Sequence, residues 1–120
     1  MAAPLVLIAD DDPNLREMLR MGLEVRGYRV ITTADGRQVV ELAIHERPDL
    51  IILDVHMVVH DGKWVAQQLR EKHIDIPIFV LTGDAHPEHW AEELHAIGWV
   101  KKPFEFDALY AQLEAVAPAA

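Results

Sequence analysis

Five short apolar runs alternating with five amphipathic helical patterns predict an α/β fold. The expected form is a doubly wound (βα)5 three-layer sandwich around one parallel, five-stranded sheet. Two further observations support that class. The apolar runs are rich in Val and Ile and mostly lack polar alternation, as expected of parallel strands covered on both faces. Right-handed crossovers between such strands then leave few other topologies open.

The elements are taken in chain order. The first strand is read at Leu5–Ala9. In the helix after it, Leu15, Met18, Leu19, Gly22 and Leu23 share one face, with Pro13 suited to the first turn and Gly27 to the end. Tyr28–Thr33 is the second strand. Val39, Leu42 and Ala43 mark a second helix after Asp35-Gly36, which must stop before Pro48. Leu50–Leu53 is the third strand, and Val65 and Leu69 carry a helix after Gly62. Ile76–Leu81 is the fourth strand, and Trp90, Leu94 and Ile97 carry a helix after Pro87. Trp99–Val100 is the fifth strand, and Phe106, Leu109, Leu113 and Val116 carry the last helix.

Size and composition fit one domain over residues 1–120. Apolar residues make up 51% of the 120, enough for a core at a size that buries roughly two-thirds of the unfolded surface. Cys is absent, which excludes disulfides and thiolate metal sites. No apolar run is long enough to span a bilayer. The N-terminus has no basic stretch ahead of Asp10, so no secretory leader is expected and a cytoplasmic location is. The net charge of -9, with bases scattered apart from Lys101-Lys102, argues against direct nucleic-acid binding.

In a doubly wound sheet, ligands sit outside the carboxyl ends of the strands. The residues just past each strand are therefore the candidate site. Asp10-Asp11-Asp12 comes after the first strand, Asp54 after the third, Thr82-Gly83-Asp84 after the fourth and Lys102-Pro103 after the fifth. Asp12 is expected to cap the first helix. Crowded carboxylates repel, and a hard divalent cation such as Mg2+ relieves the conflict while keeping sites for waters and phosphate oxygens. An Asp at a strand end is also a possible nucleophile toward phosphorus. A hydroxyl (Thr82) and an ammonium (Lys102) would neutralise incoming phosphoryl oxygens.

Four segments carry a family resemblance. Val6–Pro13, Pro48–Met57 followed by Asp61-Gly62, Phe79–Gly83 and Lys102-Pro103-Phe104 resemble, in order and interval, the motifs of a response-regulator receiver domain. The likeness is to the single-domain, chemotaxis-regulator kind and covers nearly the whole chain. It implies a flavodoxin-like strand order 2-1-3-4-5. It implies that Asp54 accepts a phosphoryl group from a sensor histidine kinase or phosphotransfer protein. Asp11, Asp54 and the main-chain carbonyl of His56 would ligate Mg2+, with Asp10 holding metal-bound water. Thr82 and Lys102 would meet the phosphoryl oxygens, and small Gly83 would let the group approach. Trp99 occupies the place of the family's switch aromatic, which would follow Thr82 when the phosphoryl group draws that hydroxyl inward. His56 and Asp84 occupy places that influence the lifetime of the phosphoryl group. The Lys102–Pro103 peptide would be cis, against a general rate of about 5–6% for bonds before proline.

Some residues depart from the family. Val58 stands where a Pro is usual, so a looser loop is expected after the acceptor. The stretch between Thr82 and Lys102 is trimmed, which predicts a shortened fourth helix or following loop. These departures motivate the alternative of a phosphorylation-independent pseudo-receiver that only binds protein. His60, His86 and His89 invite a metal reading, but Pro87 interrupts the pattern and exposed loop histidines are expected. A flavin phosphate loop, an Asp-x-Asp phosphatase motif and a P-loop are all missing, so no further enzymatic activity is expected. If Ala120 ends the chain, action through protein contacts is expected, with an output protein of unknown identity and a monomeric or weakly dimeric state.

Overall fold

The computed structural model describes residues 3–116, so the outermost ends of the predicted domain lie outside the described residues. Strands β1 (Leu5–Ala9), β2 (Arg29–Thr33), β3 (Leu50–Asp54), β4 (Ile78–Thr82) and β5 (Gly98–Lys101) form one parallel sheet in the order β2-β1-β3-β4-β5. Helices α1 (Pro13–Val25), α2 (Gly36–Glu46), α3 (Gly62–Glu71), α4 (Pro87–Glu93) and α5 (Phe106–Val116) complete the alternation.

Two apolar layers cover the sheet because alternate residues of each strand point to opposite faces. Leu7, Ile51, Leu53 and Val80 pack against α2 and α3 through Val39, Val40, Val65 and Leu69. Ile8, Ile52, Phe79 and Leu81 pack against α1 and α5 through Leu19, Leu23, Leu109 and Leu113. Every residue of β1, β3 and β4 is buried, whereas edge strands β2 and β5 are partly exposed. That pattern explains the near-continuous apolar runs of the inner strands.

The helix ends obey local chemistry. Asp12, Asp35 and Asp61 each take the N-cap position and accept from backbone N–H groups of the first turn. Arg47, His73 and His95 hold left-handed conformations at the ends of α2, α3 and α4, and Gly27 does the same after α1.

Two boundaries differ from the sequence expectation by more than one residue. β4 starts at Ile78 instead of Ile76, because Pro77 has no N–H to give; its carbonyl accepts from Ile51 instead. α4 stops at Glu93, so neither Leu94 nor Ile97 lies in the helix. The left-handed turn at His95 redirects the chain, and the Ile97 N–H joins the Ile78 carbonyl at 2.8 Å, which starts β5. The trimmed stretch is thus a helix of only 7 residues.

Candidate phosphoacceptor site

The carboxyl ends of β1, β3 and β4 bring together buried polar residues in a largely apolar interior. Asp10, Asp54 and Thr82 are 0%, 5% and 0% exposed. Buried polar residues are the informative exceptions in a protein core. Each stands where its strand gives out, so the apolar layers below hold it in place while its side chain meets the loops above.

Asp10, Asp11 and Asp54 each offer a carboxylate oxygen to a common point, with these atoms within 4.8 Å of one another. Among the described residues this is the one cluster of acidic or histidine side chains with that property. Asp11 is exposed and faces solvent at the rim. The Asp10 carboxylate also accepts from the backbone N–H of Asp12 at 2.9 Å, and Arg16 donates to the Asp10 carbonyl at 2.7 Å.

Lys102 supplies the opposing charge. Its Nζ donates to Asp10 Oδ2 at 2.7 Å and stands 3.4 Å from Asp54 Oδ2. The chain reaches this position directly after β5, through Lys102 N–H to the Thr82 carbonyl and the cis Lys102–Pro103 peptide. The isomer agrees with what the motif implied. Burial pushes the Asp54 carboxyl above its ordinary range, the Asp10 charge pushes it further, and Lys102 opposes both. Burial depresses the Lys102 ammonium, yet its hydrogen bond to Asp10 and the Asp54 charge leave it raised on balance. Hard oxygen donors crowded in this way suit a divalent cation such as Mg2+.

The rim is made by the β3–α3 and β4–α4 loops. The His56 N–H donates to Asp54 Oδ1 at 3.1 Å, and the Asp84 N–H donates to Thr82 Oγ1 at 3.1 Å. The side chains of His56 and Asp84 then meet across the rim at 2.7 Å. Gly83 faces open space, with nothing within 4 Å of where a Cβ would stand. Trp99 lies on the edge strand β5, opposite Val80 in the ladder, and is 39% exposed. It lines a surface depression with Gln112, Ala115 and Val116.

The loop after Asp54 is tied down despite Val58. The Gly36 N–H donates to the Val59 carbonyl at 3.0 Å and the Gly62 N–H to the Val55 carbonyl at 2.9 Å. His60 stacks on Trp64 with ring centroids 4.1 Å apart. Gly36 is required because a Cβ there would lie 2.0 Å from the His60 carbonyl oxygen. His60 is therefore occupied at α2, while His86 pairs with Glu88, so the three histidines do not assemble.

One participant was missed by sequence reasoning. Trp90 reads as a core position of α4, but its indole N–H donates to Asp84 Oδ2. The only signal for it was general: a half-buried indole seeks an acceptor. Two cavities of about 440 and 580 Å3 lie at the far end of the sheet, around 73–76, and take no part in the carboxylate cluster.

Comparison with known proteins agrees with this geometry. The family model described as "Response regulator receiver domain" matches residues 6–114. The "Probable transcriptional regulator ycf27" of Guillardia theta is 41% identical over 113 residues, 92% of this chain and 44% of the relative. The "Response regulator MprA" of Mycolicibacterium vanbaalenii is 40% identical over 92% of this chain and 49% of its own length. The chain thus spans less than half the length of these curated relatives. Among solved structures, the chemotaxis protein CheY4 of Vibrio cholerae superposes with a TM-score of 0.86 at 35% identity, covering 96% of this chain and 99% of that one. The response regulator TrrA of Thermotoga maritima, solved in complex with Mg(2+)-BeF, gives 0.81 at 32% identity over 93% of this chain and 97% of that one. Fold, motif order and relatives converge, and the chain belongs to the response-regulator receiver domains of two-component signalling.

Proposed function

We propose that this domain accepts a phosphoryl group on Asp54 from a histidine kinase or phosphotransfer protein, with Mg2+, and thereby alters a protein-binding face. The observation that carries the reading is the buried Asp54 carboxylate facing Lys102, with carboxylate oxygens of Asp10 and Asp11 within 4.8 Å of it.

In that reaction an Asp54 oxygen attacks phosphorus. The P–N bond of the phosphohistidine breaks, and its electron pair returns to the imidazole. Lys102 neutralises charge on a phosphoryl oxygen, and the Thr82 hydroxyl donates to another. The Asp54 and Asp11 carboxylates and the His56 carbonyl would hold Mg2+, with Asp10 positioned for its water. The bound ion supplies charge neutralisation at the phosphoryl oxygens. Gly83 leaves room for the group, and His56 and Asp84 at the rim govern how long it survives. Trp99, 39% exposed on β5, would follow Thr82 inward once the phosphoryl group draws that hydroxyl toward it.

The test is incubation with a small-molecule phosphodonor and Mg2+, followed by intact mass. A single phosphoryl adduct that disappears in Asp54→Asn is expected. No adduct, or one that survives the substitution, refutes the proposal and leaves a binding-only module.

A further inference from the structure

Asp84 Oδ2 is a shared acceptor. It takes the His56 Nε2–H at 2.7 Å from the β3–α3 loop and the Trp90 indole N–H from α4. An indole N–H only donates and an ionised carboxylate only accepts, so both contacts run toward Asp84. The His56 and Trp90 rings also meet edge to face, with centroids 5.5 Å apart and an interplanar angle of 87°. Three side chains from three elements thus form one bridge between the loops that begin at Asp54 and at Thr82.

The bridge has a rigid end and a loose one. Trp90 sits on α4 next to buried Ala91, whereas the His56 side chain is 51% exposed. Without the indole donor, the Asp84 carboxylate is free to turn, and His56 loses a fixed partner. We propose that Trp90 is a positioning residue for the Asp54 reaction: its indole N–H orients Asp84, which holds His56 over the rim and so lengthens the life of the phosphoryl group.

The inference rests on the proposed phosphorylation of Asp54. Loss of the group is a hydrolysis. A water oxygen adds to phosphorus, the P–O bond to Asp54 breaks, and its electron pair returns to the carboxylate. The water's proton leaves with inorganic phosphate. A closed bridge limits the approach of that water, and a loosened bridge admits it.

The experiment tracks adduct decay by intact mass after the phosphodonor is removed, in Mg2+, for the unchanged chain, Trp90→Phe, Asp84→Ala and the double variant. Phe keeps the ring edge toward His56 and removes only the donor. Trp90→Phe should shorten the lifetime about three- to tenfold, within what one hydrogen bond to a charged group can supply. It should add nothing in the Asp84→Ala background, because Trp90 acts only through Asp84. A second readout needs no change at Trp90: its indole N–H proton resonance must move in Asp84→Ala. Equal lifetimes in Trp90→Phe, multiplying effects in the double variant, or an unmoved indole resonance each overturn the inference while the phosphoacceptor reading stands. An unchanged chain that forms no adduct overturns both.

Discussion

Replacing Asp54 by Asn should stabilise the cation-free domain and destabilise it, relative to the unchanged chain, when Mg2+ is abundant. The cluster geometry sets the sizes. Asp54 and Asp10 carry like charges within 4.8 Å, a repulsion of at least ~3.5 kcal/mol at an effective dielectric constant of 20. Lys102 at 3.4 Å returns ~4.9 kcal/mol on the same scale. Lys102 exceeds the repulsion by at most ~1.4 kcal/mol, and the larger cost of burying the carboxylate, several kcal/mol before relaxation, decides the sign. The raised Asp54 pKa has the same cause. Because Asn keeps the shape and remains a buried polar group, a gain on the order of 1 kcal/mol is expected. For 120 residues, ~2.1 cal/mol/K per residue converts this to a rise of about 4 °C in Tm. At a hundredfold excess of Mg2+ over its Kd, the unchanged chain gains ~2.7 kcal/mol, or about 11 °C, and overtakes the variant. Thermal unfolding by circular dichroism with and without Mg2+ measures both shifts. The pH dependence adds a check. A carboxyl whose folded pKa is raised favours the folded state below 3.8 and loses that contribution as pH climbs through the folded value. Asp54→Asn should flatten that segment of the curve. A variant with lower cation-free Tm and an undiminished Mg2+ shift would show that Lys102 outweighs burial and that the cation does not need Asp54.

Other substitutions test the scaffold around the cluster. Lys102→Met should cost about 2 kcal/mol in urea unfolding without Mg2+, less than a fully buried pair because the Lys102 side chain is 27% exposed, and Mg2+ should restore much of it. Gly36→Ala places a methyl against the His60 carbonyl and should cost ~1–3 kcal/mol by the same assay, with amide shifts centred on Val58–His60. His73→Gly relieves a left-handed residue with φ 57 and should raise stability by about 0.5 kcal/mol, the strain relief exceeding the added freedom of the unfolded chain.

The strand-end residues were legible because two short-range signals coincide there. Val/Ile runs locate the strands, and the polar residue ending each run falls on one edge once the strands are parallel. Asp10, Asp54 and Thr82 needed nothing more, whereas Lys102 was separated from Lys101 only by the Lys-Pro dipeptide of the family motif. The end of α4 was not legible, since Leu94 and Ile97 continue the apolar spacing from Trp90 and are nevertheless outside the helix. The left-handed turn at His95 and the Ile97–Ile78 hydrogen bond, a tertiary contact, decide that boundary. Ile76 is apolar and packs on the core, yet Pro77 removes it from the ladder. The role of Trp90 stayed hidden because Asp84 precedes the helix and His56 lies 28 residues before Asp84. No periodicity joins those three positions. The anchoring of the loop at Val58 was also invisible, because backbone bonds to Gly36 and Gly62 substitute for the stiffness that a proline ring would have given.

Asp54 is the last residue of β3, the middle strand, laddered to β1 on one side and to β4 on the other. A strand clamped from both flanks is a stiff seat, and it cannot slide without breaking two rows of hydrogen bonds together. Any charge added at Asp54 therefore works like a load on an anvil. Under the proposed phosphorylation, the deflection is expected in what rests above the seat, the two rim loops and the short α4. Loop surfaces away from the His56–Asp84–Trp90 bridge can therefore vary without disturbing that seat.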